Sequence, residues 1–290
     1  MNAIKWYISK FPESLYPCSR ENQQDYGTKV ITGRQKMAES TVIICGIARD
    51  ISKNIVATIA RVERLGKMFE DYRVVIYEND STDGTDIILK EWVSQNYKVK
   101  IVSEKLGDAK YESSTDVKRL TALAGYRNNY LHHVFNGETI VPDYIIVADL
   151  DLPGGWSYEG ICNSFGYDNW SVMGSNGLLY GILEGSTDGE MRRVYYDSLA
   201  FRRKGHPKPH VSSDINAIVY NRGELPIQVD SCFGGLAIYK SSAFRYDARY
   251  SGPDCDHVEL HRNMLDTGID DIYLNPSQIV LYSNVHYTIV

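Results

Sequence analysis

Asp149 and Asp151 stand one residue apart at the end of the apolar run Tyr144-Ile-Ile-Val-Ala148. A run of that length reads as a buried strand of a parallel sheet. In an extended segment residues i and i+2 point the same way, and in open α/β sheets ligands bind beyond the carboxyl ends of the strands. Two hard oxygen donors converging there suit Mg²⁺ or Mn²⁺, which commonly bind through one or two carboxylates and a substrate's phosphates. The triplet alone is cheap: roughly one or two Asp-x-Asp patterns should arise by chance in such a chain. A second one is indeed present at Asp254-Cys-Asp256. What sets the first apart is its context, an apolar strand before and a Pro153-Gly154-Gly155 turn after.

A second arrangement of potential ligands is His257-Val-Glu259-Leu-His261, two histidines four residues apart on one helix face. The zinc hydrolase pattern places its glutamate directly after the first histidine. Here Glu259 falls off the histidine face, so this reading is set aside.

The elements around Asp149 and Asp151 alternate. Residues 41–48 read as a buried strand, and residues 51–69 as a helix with the stripe Ile55, Ile59, Val62, Leu65 and Phe69. Residues 72–77 read as a strand ending at Glu78-Asn79-Asp80, followed by a capping turn and a helix over 85–95. A strand at 99–102 and a helix near 117–133 lead to the strand that carries Asp149. Such alternation predicts an α/β fold with a central, mostly parallel sheet and right-handed crossovers. Beyond residue 152 the pattern is irregular and rich in Gly, Ser and Asn. Residues 41–290 are expected to form one domain, with a nucleotide-binding half (41–152) and an acceptor-binding half (153–290). Residues 1–40, polar and weakly periodic, read as an N-terminal extension.

A chain of 290 residues, 43% of them hydrophobic, can bury a full core. Its net charge of −6 argues against a nucleic-acid partner. The five cysteines, widely spaced and without a Cys-x-x-Cys pair, fit reduced thiols. No signal pattern or transmembrane segment is evident, so a cytoplasmic location is expected. The 22 tyrosines supply aromatic faces of the kind that stack on sugars, although most are expected to be packing residues.

The ordered set Ile47-Ala-Arg-Asp50, Tyr77-Glu-Asn-Asp-Ser-Thr-Asp-Gly-Thr85, Tyr126-Arg-Asn128, Asp149-Leu-Asp151, Tyr196-Asp197, Phe233-Gly-Gly235 and Cys255-Asp-His257 resembles one family. It is that of glycosyltransferases related to the fungal (cryptococcal) capsular α-1,3-mannosyltransferase, which have the GT-A fold, and the resemblance covers residues 41 to 290. Two departures are the missing membrane anchor and Asp256 where glutamate is more usual.

The resemblance implies a glycosyltransferase that uses Mn²⁺ or Mg²⁺ and a nucleoside-diphosphate sugar, UDP- or GDP-linked, with an oligosaccharide or glycan as acceptor. Ala48 and Arg49 would lie at the base, Glu78 and Asp80 at the ribose or base, and Arg127 and Leu150 at the donor. Asp149, Asp151 and His286 would hold the metal. Asp197, Gly234, Gly235 and His257 would meet substrate, and Asp256 or Glu259 would serve as a catalytic carboxylate. Bland readings compete: Asp80 as a turn former, Arg127 as a solvated helix residue, Asp256 as a first-turn carboxylate. A sugar nucleotidyltransferase and a non-catalytic carbohydrate-binding protein are the alternative functions.

Overall fold

The computed structural model describes residues 11–107, 111, 113–136, 140–182, 191–209, 214–215 and 217–282. Its parallel half is built from β1 (Thr41–Ala48), β2 (Asp71–Asn79), β3 (Val99–Glu104) and β4 (Tyr144–Ala148), in the order β3-β2-β1-β4. The side chains of β4 alternate between two cores: Ile145 and Val147 face one, Ile146 and Ala148 the other. Ile43 and Cys45 of β1 divide from Val42 and Ile44 in the same way. Burial on both faces is why these strands are continuously apolar rather than alternating.

Among the described residues a 3-10 turn (Glu13–Leu15) and α1 (Gln23–Ala38) precede β1; between the strands run α2 (Ser52–Gly66), α3 (Thr85–Gln95) and α4 (Val117–Asn136). Helix α4 covers one face through Ala124, Tyr130, Leu131 and Val134. Helices α2 and α3 cover the other through Ile55, Val62, Leu65, Leu89 and Trp92.

Among the described residues the second half widens the sheet to eleven strands, and here the pairing turns largely antiparallel. Its elements are β5 (Gly155–Trp156), α5 (Tyr158–Phe165), β6 (Val172–Ile182), β7 (Met191–Tyr195), β8 (Arg202–Arg203), β9 (Ile227–Ser231), β10 (Leu236–Lys240), α6 (Asp256–Asp266) and β11 (Ile272–Leu281). From β4 the order continues β10-β6-β11-β9-β8, with β5 on β11 and β7 on β6. Strand β10 runs antiparallel to both neighbours, so β6 points the same way as β4, and β11 pairs parallel to β6. The expected α/β class with a mostly parallel core is thus present, extended by antiparallel strands.

The segment before residue 40 contains more structure than its weak periodicity indicated. Helix α1 buries only Tyr26, Gly33 and Met37, too sparse a stripe to stand out in sequence. It crosses α5 nearly backbone to backbone: a Cβ on Gly33 would sit 1.7 Å from the Cys162 carbonyl oxygen.

Candidate active site

The period-2 alternation of β4 continues past the strand's end. Leu150 and Leu152 drop into the apolar core, which leaves Asp149 and Asp151 on the side of the open edge. Helix α2 pins this backbone with three side chains along one face. Asn54 Nδ2 donates to the Asp151 carbonyl at 2.7 Å, Thr58 Oγ1 to the Leu150 carbonyl at 2.8 Å, and Arg61 Nη1 to the Leu152 carbonyl at 2.6 Å. Successive carbonyls outside regular pairing need such donors, so the two carboxylates sit on a rigid segment.

Four aspartates converge here around the buried Arg127. The Tyr282 hydroxyl donates to Asp149 Oδ2, and the Tyr282 ring stacks on Tyr196 with centroids 3.2 Å apart. Arg127, on α4, is 5% exposed; its Nη2 lies 3.6 Å from Asp149 Oδ1 and its Nε donates to Asp256 Oδ2 at 2.5 Å. Asp197 takes a left-handed φ of 76° and accepts a 2.9 Å bond from the Gly234 amide. Strained non-glycine conformations of this kind cluster at functional sites.

The carboxylates feel one another. Burial and the neighbouring Asp151 push the Asp149 carboxyl up to about 6, against the opposing pull of Arg127. Burial, then the charge of Asp149, pushes Asp197 up to about 7. One guanidinium does not neutralise the group, and a divalent cation would relieve the repulsion.

Two cavities meet at this point and share Arg119, Leu123, Arg127, Asp149 and Tyr196 as walls. The first, about 460 Å³, opens at the carboxyl ends of β1, β2 and β4 and is lined by Ala48, Arg49, Asn79, Leu150 and Asp151. Its size is that of a small-molecule site. The second, about 370 Å³, is lined by Asp197, Leu199, Phe233, Asp256 and His257.

The residues singled out in the sequence divide accordingly. Ala48, Arg49, Arg127, Asp149, Leu150 and Asp151 line the first cavity; Asp197, Asp256 and His257 line the second. Glu78 and Asp80 line neither. Glu78 is fully buried, where its Oε1 accepts the Ser81 amide at 2.9 Å and its Oε2 the Ser103 hydroxyl. Asp80 accepts the Gly107 amide at 2.9 Å and Asn79 Nδ2 at 3.0 Å. Both carboxylates build the loop, and Asn79 between them faces the cavity.

Glu259 is likewise away from the cavities, paired with Arg262 Nη1 at 2.8 Å. His286 lies outside the described residues. His261 accepts or donates through both ring nitrogens, to Ser231 at 2.9 Å and Tyr239 at 3.1 Å, so the zinc arrangement with His257 has no free partner there. The sequence reading passed over Asn79, Arg119 and Tyr282; only the Tyr196-Asp197 motif pointed near the stacked tyrosines.

Gly234 and Gly235, expected to meet substrate, line neither cavity. They act through backbone, the Gly234 amide donating to Asp197 and the Gly235 carbonyl accepting the Asp149 amide at 2.9 Å. Gly234 has φ 62°, and a Cβ there would lie 2.1 Å from the Ser175 carbonyl oxygen. Gly234→Ala is therefore expected to cost at least about 2 kcal/mol, the sum of a left-handed penalty and a backbone clash. Urea unfolding measures it; an unchanged midpoint would remove the close-approach explanation.

The donor set fits Mg²⁺ or Mn²⁺. Among the described residues no three His, Cys, Asp or Glu side chains are grouped to hold a metal by themselves. Asp149 and Asp151 would supply the one or two carboxylates that these ions commonly take from protein, with phosphate oxygens and water completing the shell.

The class defined by this fold is α/β, with the site at the carboxyl edge of its parallel strands. No protein-family model matches the sequence, and no curated protein is significantly similar to it. Several solved structures are similar in chain trace. The mannosyltransferase PcManGT from Pyrobaculum calidifontis, in complex with GDP-Man and Mn²⁺, shares 11% identity over 90% of this chain and 66% of its own, with a TM-score of 0.49. GalNAc-T7 with UDP, GalNAc and Mn²⁺ shares 12% over 84% and 43%, with a TM-score of 0.47. TarS from S. aureus, in complex with UDP-GlcNAc, shares 11% over 84% and 59%, also at 0.47. This chain spans about two thirds or less of the length of each. Among its described residues, no helix is long and apolar enough to cross a membrane.

Proposed function

We propose that the protein is a GT-A glycosyltransferase that moves a sugar from a nucleoside-diphosphate sugar to a carbohydrate hydroxyl. The observation that carries this is the meeting of two cavities at Asp149 and Arg127, with excess carboxylate at the junction. The first cavity takes the donor, whose nucleoside lies toward Ala48, Arg49 and Asn79 and whose diphosphate lies toward Asp149 and Asp151. The second takes the acceptor.

The difficult event is departure of the diphosphate, which gathers negative charge as the glycosidic bond breaks. A divalent ion held by Asp149 and Asp151 would supply charge neutralisation at those oxygens. Arg127 adds a fixed positive charge, kept in place by its bond to Asp256. The two cavities hold acceptor and donor against one another, which lowers the entropic part of the barrier.

Asp256 faces the acceptor cavity and is the carboxylate placed to orient an attacking hydroxyl or take its proton. Asp256→Asn is expected to lower kcat about 10²-fold, the usual contribution of a positioned acid or base, with donor binding retained. Initial rates at saturating donor measure this, and a rate within threefold of wild type would demote Asp256 to an anchor for Arg127.

A thermal-shift screen of UDP- and GDP-sugars, with Mn²⁺ and with EDTA, tests the assignment. A ligand bound only by the native state raises its melting temperature. Stabilisation by at least one sugar nucleotide, dependent on Mn²⁺, is the expected result; no response to any of them would count against the reading.

A further inference from the structure

The second cavity contains buried hydrogen-bonding atoms that meet no protein partner among the described residues. His257 is 3% exposed, and neither its Nδ1 nor its Nε2 is bonded. Arg127, beside it in the same wall, leaves Nη1 unpartnered. Buried polar atoms without partners are costly and uncommon in folded proteins. The contrast with His261, one helical turn further on, is direct. That ring is also buried, and the fold gives it two partners, Ser231 and Tyr239.

The His257 ring is held in place without a hydrogen bond. It stacks on Phe233, with centroids 3.7 Å apart and an interplanar angle of 14°, and meets Tyr250 edge-on at 5.5 Å. Burial, then the charge of Arg127, drives its pKa well below the usual value. It is therefore a neutral imidazole with one N–H donor and one acceptor to offer. The group that answers both is a hydroxyl.

Charge restricts the ligand further. Asp149, Asp197 and Asp256 share this wall with two arginines, Arg119 and Arg127, of which Arg127 is ion-paired to Asp149 and Asp256, so carboxylates are in excess. An added carboxylate or phosphate would meet repulsion; an uncharged polyol would not. The geometry points to a subsite for the hydroxyls of a neutral sugar ring, formed by His257 and Arg127 Nη1, with His257 determining acceptor specificity. This assignment rests on the transferase reading only in calling the bound sugar the acceptor; the subsite itself stands on the unpartnered atoms.

The test uses the full chain labelled with ¹⁵N-histidine, titrated with the methyl glycosides of mannose, glucose, galactose and glucuronic acid. His257→Phe, which keeps a flat ring on Phe233, identifies the His257 resonances by their loss. The imidazole resonances are expected to move with at least one neutral glycoside and not with the glucuronide. His257→Phe should weaken binding about tenfold or more with an unchanged melting temperature, and His257→Gln, which restores a donor and an acceptor, should recover part of the loss. Resonances indifferent to every neutral glycoside, a Phe variant that binds as wild type does, or preference for the glucuronide would each overturn the subsite. UDP and GDP binding measured on the same samples separates the two ideas: glycoside binding without nucleotide binding keeps the subsite and removes the transferase.

Discussion

Asp149→Asn is expected to abolish the proposed sugar transfer, by about 10³-fold or more, and to leave a metal-free protein more stable than the parent. The first half follows from the role of the carboxylate: loss of a metal ligand at the departing diphosphate removes several kcal/mol of transition-state stabilisation. The second half follows from electrostatics. Asp149 is raised to about 6 and Asp197 to about 7, each first by burial and then by a neighbouring carboxylate. Both folded-state values exceed the unfolded one near 3.9, so the fold favours the protonated forms. That advantage is complete below about pH 4 and is lost as the pH rises through 6 and 7. At pH 8 the ionised Asp149 costs on the order of 2–3 kcal/mol, and asparagine escapes the cost while still accepting the Tyr282 hydroxyl. Urea unfolding in EDTA at pH 5 and pH 8 checks this. The buried His257 and His261, both lowered, favour folding as the pH rises, so the comparison is between the two proteins. An Asn variant whose advantage over wild type does not grow from pH 5 to pH 8, or that is less stable than wild type, would show that Asp149 serves the fold rather than a cation.

Arg127→Met is expected to destabilise the protein by about 3–5 kcal/mol and to remove transfer with it. The guanidinium is 5% exposed and lies between Asp256 at 2.5 Å and Asp149 at 3.6 Å. Its removal leaves Asp256, 3% exposed, without its counter-charge in a wall that already carries excess carboxylate. The double variant Arg127→Met/Asp256→Asn should recover most of the stability, because no unpaired buried charge remains, while transfer stays absent. Denaturant midpoints of the two singles and the double form the cycle. Additive losses would mean that the two side chains act independently, against the geometry.

The parallel half of the fold was legible because both periods were clean. Strands β1 and β4 are apolar without interruption, and α2 carries its stripe every third or fourth residue. Asp149 and Asp151 were legible for a related reason: Leu150 and Leu152 continue the alternation, so the strand's phase fixes which way the carboxylates point. The second half hid its strands behind polar composition. Strand β6 contains Gly174-Ser-Asn-Gly177, which reads as loop, yet its side-chain donors are paired internally. Ser175 Oγ donates to the Leu236 carbonyl at 2.6 Å and Asn176 Nδ2 to the Pro276 carbonyl at 3.1 Å. Gln278 Nε2 adds a bond to Ser175 Oγ at 2.8 Å. Pairing of that kind depends on tertiary position and leaves no periodic trace.

Within the site, sequence could name Glu78-Asn79-Asp80 as a polar strand end but not which of the three meets the cavity. The outer two are consumed by loop amides, and the neutral residue between them faces inward. The Asn54, Thr58 and Arg61 donors that fix the Asp149 loop were also hidden, since their targets are backbone carbonyls some ninety residues away.

The central claim is that Asp149 and Asp151 hold a divalent cation together with a donor diphosphate. Electron paramagnetic resonance reads it directly, because the six-line signal of free Mn²⁺ is lost on binding. Wild-type protein with UDP or GDP should quench that signal well beyond nucleotide alone, and Asp149→Asn and Asp151→Asn should not. Equal quenching by wild type and both variants would place the ion elsewhere and contradict the account.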